Sequence, residues 1–546
     1  MRLGSKSSKI RKFFCIVYLV ILYLPYALVS AWQGDTISVA IAEEPITLNP
    51  FTARDVWSLK VISLLFDPLY GYGPGMELLP IIASEEPEIE NETLRIRLKE
   101  GVLWSDGEPL TSHDVEFTFK ALLALKPPHL SEPLSYLKSI TAVDDLTVSM
   151  VIEPRGLVIV LEYLLTFPIV QRRQWEPLLR QALEKEKPSE WFSDKWPKPL
   201  ASSGPFVLRE WRPDALILER NDYYLHKPRE VRRIILKVYR DVDDALLGMR
   251  AGEVDYIWWS LTPGYAEILA KEPMFKIVRS PSMRLYYIGF NLRNVPYNDL
   301  NFRRAIHELI DREFIVKYIL RGYGREECSL VPYWSVKWHY NCSRVYDGDL
   351  AERIEKVREL LTKAGYRWIN NTLIFKGRPI KEAVILVPSP FSDPYLYKIA
   401  MVVQEWLSRV GVKARVIVYS LERFIKEVFE KHEFDIFLYW IETTPYPDYL
   451  RTMFYSEFSA PGMANAFGYY SYEYDLLAEK VAGEVNLAKR RELILKMQEL
   501  LARDIPCIPL LSPEMIEVHS GRFSGWISIP GGIGNRWSFL TIIRVK

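Results

Sequence analysis

Residues able to do covalent chemistry are few in this chain, and their spacing does not assemble them. The seven histidines form no His-Glu-x-x-His helix, the arrangement that holds zinc beside a general base. No serine sits in a Gly-x-Ser-x-Gly elbow. The glycine cluster GYGPG at 71–75 lacks both the Lys-Ser/Thr and the helix start of a phosphate loop. Adjacent acids recur at Glu43-Glu44, Asp144-Asp145 and Asp243-Asp244. Glycoside hydrolysis uses two carboxylates at a fixed separation across a sugar ring, which adjacency along the chain does not provide. Such pairs read as solvated turns. We expect no enzyme, no catalytic residue and no cofactor, with a secreted glycoside hydrolase as the enzymatic alternative.

The start of the chain sets the compartment. A basic stretch (Arg2, Lys6, Lys9, Arg11, Lys12) precedes an apolar run from Phe13 to Ala31, and Val29-Ser30-Ala31 offers small residues to a signal peptidase. We expect a secretory signal at 1–31; the alternative is an uncleaved anchor. Outside the cell, paired thiols oxidise. Cys328 and Cys342 flank a turn-rich segment containing VPYWSVKWHYN, and we expect a disulfide between them. His339 lies three residues before Cys342. Two thiols and one imidazole fall short of a closed zinc site, so no metal is expected. Cys507, in the apolar run IPCIPLL, reads as a buried thiol. Sequons at Asn91, Asn341 and Asn370 would sit on the surface if glycosylated.

With 546 residues, half of them hydrophobic and a quarter charged, the chain is globular and long enough for two or three domains. Its net charge of +1, with no basic block beyond the first residues, excludes nucleic acid as a partner. Sixteen tryptophans raise the aromatic share to 13%, which fits large cores or a ring-lined cleft.

Strands and helices alternate. TISVAIA (36–42), LRIRLK (94–99) and the segments 146–152, 231–239, 253–258 and 413–419 have strand patterning. Helices are expected at 301–321, 350–364 and 395–410, the last two stopped by Gly365 and Gly411. This spacing gives an α/β fold with partly parallel sheets. The stretch 168–205, rich in proline and charge, reads as an irregular crossing between domains. In 104–123 (WSDGEPLTSHDVEFTFKALL), Asp106-Gly107 makes a turn, Thr111 and Asp114 a near capping box, and Val115, Phe119 and Leu122 one buried helical face.

That last segment fills every position of Trp-x-Asp-Gly-x-x-Leu-Thr-x-x-Asp-Val. It resembles the hallmark of the extracellular solute-binding proteins that serve dipeptide, oligopeptide and nickel ABC importers. Further blocks resemble the family in the same order: AEEPITLNPF (42–51), SSGPFVLREW (202–211), AGEVDYI (251–257), YYIGFNLRNVPYNDLNFRRAIHELID (286–311) and IPCIPLLSP (505–513). The resemblance implies a two-lobed periplasmic-binding-protein-like fold. The first lobe would comprise 35–80, 195–285 and 510–546, an inserted domain 81–194, and the second lobe 286–509. It implies a monomeric receptor at the outer face of the membrane. Hinge closure would bury a peptide or oligosaccharide between the lobes for delivery to ABC permease subunits; a nickel complex is the alternative solute.

Candidate ligand residues follow from two aromatic strand ends and the resemblance together. Trp258 and Trp259 end one strand, and neighbours on a strand face opposite ways, so at most one faces a cleft. Tyr439 and Trp440 end the other, ahead of a loop carrying Glu442, Thr443 and Asp448. Peptide-binding relatives keep an aspartate after the equivalent of Trp440 that pairs with the peptide ammonium. Thr443 stands there in this chain, with Glu442 adjacent. A neutral, ring-lined site suits oligosaccharides, whose faces stack on rings. Asn291 is expected near the crossover as a ligand or hinge amide. Trp57 would reach the cleft or cap the first helix. Asp448 is a ligand contact or a helix N-cap.

Overall fold

The computed structural model describes residues 35–90, 92–342 and 348–545. The expected signal segment and Asn91 lie outside the described residues, while Asn341 and Asn370 are exposed. The first strand, β1 (Thr36–Ile41), lies between β2 (Arg233–Val238) and β3 (Tyr256–Ile257), parallel to both. A central parallel strand is covered on both faces, which is why Ile37, Val39, Ala40 and Ile41 are all buried. β4 (Lys276–Pro281) and β5 (Arg284–Phe290) follow, separated by Ser282 and Met283 alone. A second parallel trio repeats the plan: β6 (Ala383–Pro388) lies between β7 (Ala414–Tyr419) and β8 (Ile436–Glu442).

The last long strand, β9 (Cys507–His519), joins the two trios. Its first part, Cys507 to Leu511, pairs antiparallel with β5, and its second, Glu514 to His519, with β4. Chain therefore crosses between the trios at two short places, Ser282–Met283 and Ser512–Pro513. Two short connections between packed bodies are the geometry of a hinge. A separate antiparallel sheet is ordered Glu88–Glu90, Thr93–Arg97, Thr147–Ile152, Leu137–Asp144.

Helices cover the strands where their apolar stripes require it. α1 (Val56–Leu65) starts at Asp55, whose side chain accepts from the Ser58 amide. α2 (Ser112–Leu125) carries the capping box of Thr111 and Asp114, and buries Val115, Phe119 and Leu122. The stretch 168–205 departs from its irregular reading: it contains α3 (Arg172–Leu183). The charged residues hid its inner face, where Trp175 and Ala182 are buried and Leu178 and Leu179 pack beside them. The helix expected at 301–321 stops early, as α4 (Leu300–Leu309). Ile310 is extended, and the Asp311 side chain accepts from the Phe314 amide to start a new turn. α5 (Leu350–Lys363) and α6 (Leu396–Arg409) end near Gly365 and Gly411, both in the left-handed region at φ +87° and +84°. α4, α5 and α6 pack Phe302, Ile306, Val357, Leu361, Val403 and Leu407 onto β5, β6 and β8. The Cys328 and Cys342 sulfurs are bonded, with Cα atoms 6.1 Å apart, and Cys507 is a buried free thiol. Among the described residues no helix is long and apolar enough to cross a membrane.

Candidate functional site

Strand register locates the site before any side chain does. In β3, Tyr256 pairs with His519 and Ile257 with Val518, so the strand runs toward the middle of β9. In β5, Arg284 lies nearest the middle of β9 and pairs with Glu442, the last residue of β8. β1 is parallel to β3, and β6 to β8. The carboxyl ends of both trios therefore point at the same two crossing segments. Open α/β sheets bind ligands at such carboxyl ends, where strand order reverses. The loops leaving β1 and β6 hold Ile46, 76% exposed, and Phe391, fully exposed.

On the first-lobe side, Trp57 in α1 is buried and meets Trp259 edge-on at 6.4 Å. The alternation on the strand separates the two neighbours. Trp258 lies in the core, its Nε1 donating to Gly534 O at 2.8 Å and its ring edge-on to Phe539, whereas Trp259 is partly exposed. Lys60, one turn along α1 from Trp57, donates to Trp258 O at 2.8 Å.

On the second-lobe side, Trp440 is partly exposed and lies against Tyr439, with ring centroids 4.5 Å apart. The Arg284 guanidinium covers its other neighbourhood, 4.5 Å from the Trp440 centroid. Arg284 also pairs with Glu442 at 2.8 Å and with buried Asp393 at 3.2 Å. Asp393 accepts from Tyr286 OH at 2.5 Å and from the amides of Tyr395 and Leu396 at the start of α6. Thr443 is buried, and both its amide and its hydroxyl donate to Met283 O, at 2.7 and 2.6 Å. Asp448 stands at the N-cap position of α7 (Tyr449–Phe454), but its carboxylate caps nothing. It pairs instead with Arg490 and, at 3.4 Å, with Arg451. Asn291 is buried; its amide donates to His432 O and Phe434 O, both at 3.0 Å, on the side of β5 away from the crossing.

Lys60, Arg284 and Asp393 were not singled out from the sequence. Arg284 adjoins the YYIGFN block and Asp393 sits in a proline-containing turn, but only the fold brings them together. A further contact joins the helical turn Val160–Leu164 to this loop: Glu162 accepts from the Tyr446 amide at 2.8 Å. Burial pushes the Glu162 carboxyl up to about 8, against the pull of that hydrogen bond.

The motif at 104–123 holds two helices together. Trp104 Nε1 donates to Asp114 at 3.2 Å, the Arg172 amide donates to the same carboxylate at 2.8 Å, and Arg173 pairs with Asp106 at 2.7 Å. These contacts fasten α2 to α3. The three acid pairs are all exposed, at the end of β1, in the turn between Leu137–Asp144 and Thr147–Ile152, and in the first turn of the helix Val242–Arg250. Cys328, His339 and Cys342 place their ligand atoms within 4.8 Å of one another, but the sulfurs bond each other and His339 Nδ1 lies 2.7 Å from Val331 O.

Comparison with known proteins bears on this geometry. The profile described as bacterial extracellular solute-binding proteins, family 5 middle, matches residues 77–462. The dipeptide-binding protein DppE of Bacillus subtilis is 23% identical over 517 residues, 91% of this chain and 90% of that one. The glutathione-binding protein GsiB of Escherichia coli is 22% identical over 511 residues, 92% and 93% of the two chains. The fold is similar to the unliganded open form of the murein tripeptide-binding protein MppA, with TM-score 0.78, 19% identity and coverage of 94% and 98%. It is also similar to NikZ of Campylobacter jejuni in complex with Ni(L-His), with TM-score 0.65, 22% identity and coverage of 93% and 99%. The chain belongs to family 5 of the bacterial extracellular solute-binding proteins and is a solute receptor of an ABC importer.

Proposed function

We propose that this receptor captures a chain-like solute at the carboxyl ends of β1, β3, β6 and β8, an oligosaccharide or a peptide held by ring faces rather than through an ammonium group. One observation carries this. In the loop after Trp440, each acid already has a cation: Glu442 pairs with Arg284, and Asp448 with Arg490 and Arg451. Thr443 points its hydroxyl at Met283 O. A desolvated ammonium needs an uncommitted carboxylate, and this loop offers none. Trp440, Tyr439, Trp259 and Phe391 offer rings instead. The peptide reading draws support from DppE, a dipeptide-binding protein, and GsiB, a glutathione-binding protein.

Closure would turn the lobes about Ser282–Met283 and Ser512–Pro513, with the divisions 35–80, 195–285 and 510–546, 81–194, and 286–509. The closed monomer would then present the solute to membrane permease subunits. Residues 1–31 would direct secretion. Only a solute that binds the closed state better can shift the equilibrium toward it.

A thermal-shift screen of the purified protein tests the reading. Its arms are di- to hexapeptides, cello-, xylo-, malto- and manno-oligosaccharides, and nickel with and without histidine. A solute at about a hundred times its dissociation constant adds roughly 2.7 kcal/mol. We expect stabilisation in the sugar or peptide arm with compaction by X-ray scattering. Stabilisation by nickel-histidine alone, or a bound solute without compaction, would refute it.

A further inference from the structure

We infer that Lys60 is the anchor for a carboxylate on the captured solute. This rests on the receptor reading above. The Lys60 ammonium stands at the carboxyl end of β3, where it donates to Trp258 O at 2.8 Å. It is held between two indoles, 4.8 Å from the Trp57 ring centroid and 4.9 Å from that of Trp258. Trp259 closes one side by meeting Trp57 edge-on. The site is thus built from α1 and the β3 end together, at the converging ends of the strands.

What the site lacks is an anion in contact with the ammonium. Among the described residues, no carboxylate oxygen lies within 4.0 Å of the Lys60 ammonium. The acid whose charge acts on it, Glu517, is buried and already accepts from Tyr256 OH and from the Ile533 amide. Arg284, Arg490 and Arg536 pair with Asp393, Asp448 and Asp67, whereas buried Arg303, Arg312 and Arg353, like Lys60, bond to backbone carbonyls. Burial draws the Lys60 ammonium down to about 8, with Glu517 opposing. Two ring faces compensate a cation only in part. An ammonium has three donors, and one carbonyl takes one of them. A carboxylate arriving there would complete the shell with charge-assisted hydrogen bonds in a partly desolvated setting. The ligand chemistry is therefore a carboxylate next to a body that can lie against rings. A peptide C-terminus and an acidic oligosaccharide both supply it.

Titration calorimetry with matched probes tests the assignment. One arm compares N-acetyl-tetra-alanine with its C-terminal amide, and the other compares tri-galacturonate with its methyl ester. In the wild-type protein we expect at least one acid to bind roughly tenfold or more tightly than its neutral partner. Lys60→Met should bring that ratio near one, and Lys60→Arg, which keeps the charge between the indoles, should preserve it. Failure of both acids to bind, equal affinity for acid and neutral partner, or a preference that survives Lys60→Met would overturn the proposal. A neutral solute stabilising the protein in the screen above would leave the receptor reading standing while this one fell. No stabilisation by any solute would strike the receptor reading itself.

Discussion

Glu327 is a carboxyl that the fold buries where the two lobes join. It is 2% exposed, accepts from Ser512 Oγ at 2.8 Å and from the Tyr333 amide at 3.2 Å, and its own amide donates to Leu510 O. Among the described residues no cation pairs with it within 4.0 Å. Burial raises its pKa from 4.5 to about 8, and the two accepted hydrogen bonds oppose only part of that. Between those values the folded chain keeps a proton that the unfolded chain has released. Folding stability must therefore fall as pH rises from about 4.5 to about 8, and level off above. At about 1.4 kcal/mol per pH unit, the window is worth roughly 4–5 kcal/mol. Glu327→Gln keeps the shape and removes the charge. In urea denaturation at pH 5 the variant should lie within about 1 kcal/mol of wild type, since both side chains are neutral. At pH 9 it should be more stable than wild type by about 3 kcal/mol or more. Glu162 titrates in the same window, so the quantity to read is the difference between variant and wild type. A difference that does not change between pH 5 and pH 9 would refute the reasoning.

Two further expectations separate core from cleft and tie from scaffold. Trp258→Ala should cost about 3–5 kcal/mol in urea denaturation, because the ring is buried and donates to Gly534 O; Trp440→Ala should cost about 1 kcal/mol or less and instead weaken the solute that the stabilisation screen identifies. Reducing the Cys328–Cys342 bond, which closes a loop of sequence separation 14, should remove roughly 3 kcal/mol, read as a lower melting temperature that a Cys328→Ser/Cys342→Ser double variant reproduces without reductant.

The architecture was legible where local pattern and tertiary need agree. α2 announced itself through Thr111, Asp114 and the spacing of Val115, Phe119 and Leu122, and the first parallel trio through apolar runs at 36–42, 231–239 and 253–258, whereas β6, the middle strand of the second trio, was not read. α3 was not legible, since its inward stripe of Trp175, Leu178, Leu179 and Ala182 is interleaved with charge and interrupted by Pro177. The single helix expected over 301–321 failed for a local reason, the competing cap at Asp311. At the site, alternation separated Trp258 from Trp259 but gave no means of choosing between them. The partners of Glu442, Thr443 and Asp448 lie 158, 160 and 42 residues away in sequence. No window of local sequence could show that Arg284, Met283 and Arg490 had already claimed them. Lys60 was invisible for the opposite reason: its meaning lies in a partner that is missing.

The same long-range contacts constrain how the cleft can move. The loop closed by Cys328 and Cys342, with Glu327 just before it, touches both crossing segments, through Trp334 Nε1 to Ser282 O at 3.1 Å and through Glu327, which accepts from Ser512 Oγ. It also holds the cleft loop, by Tyr449 OH to Leu330 O at 3.1 Å and by the Trp338 and Tyr446 rings, 5.7 Å apart. In the proposed closure, a rotation about the crossing segments would carry this loop, the residues after Trp440 and β8 together. The Tyr446 amide is bonded on its far side to Glu162, in the helical turn Val160–Leu164, so such a rotation would stretch that bond or drag that turn along. Each end of the path holds a carboxyl raised to about 8, Glu327 at the crossing and Glu162 at the Tyr446 contact. Charging either one near neutral pH penalises burial of that contact specifically.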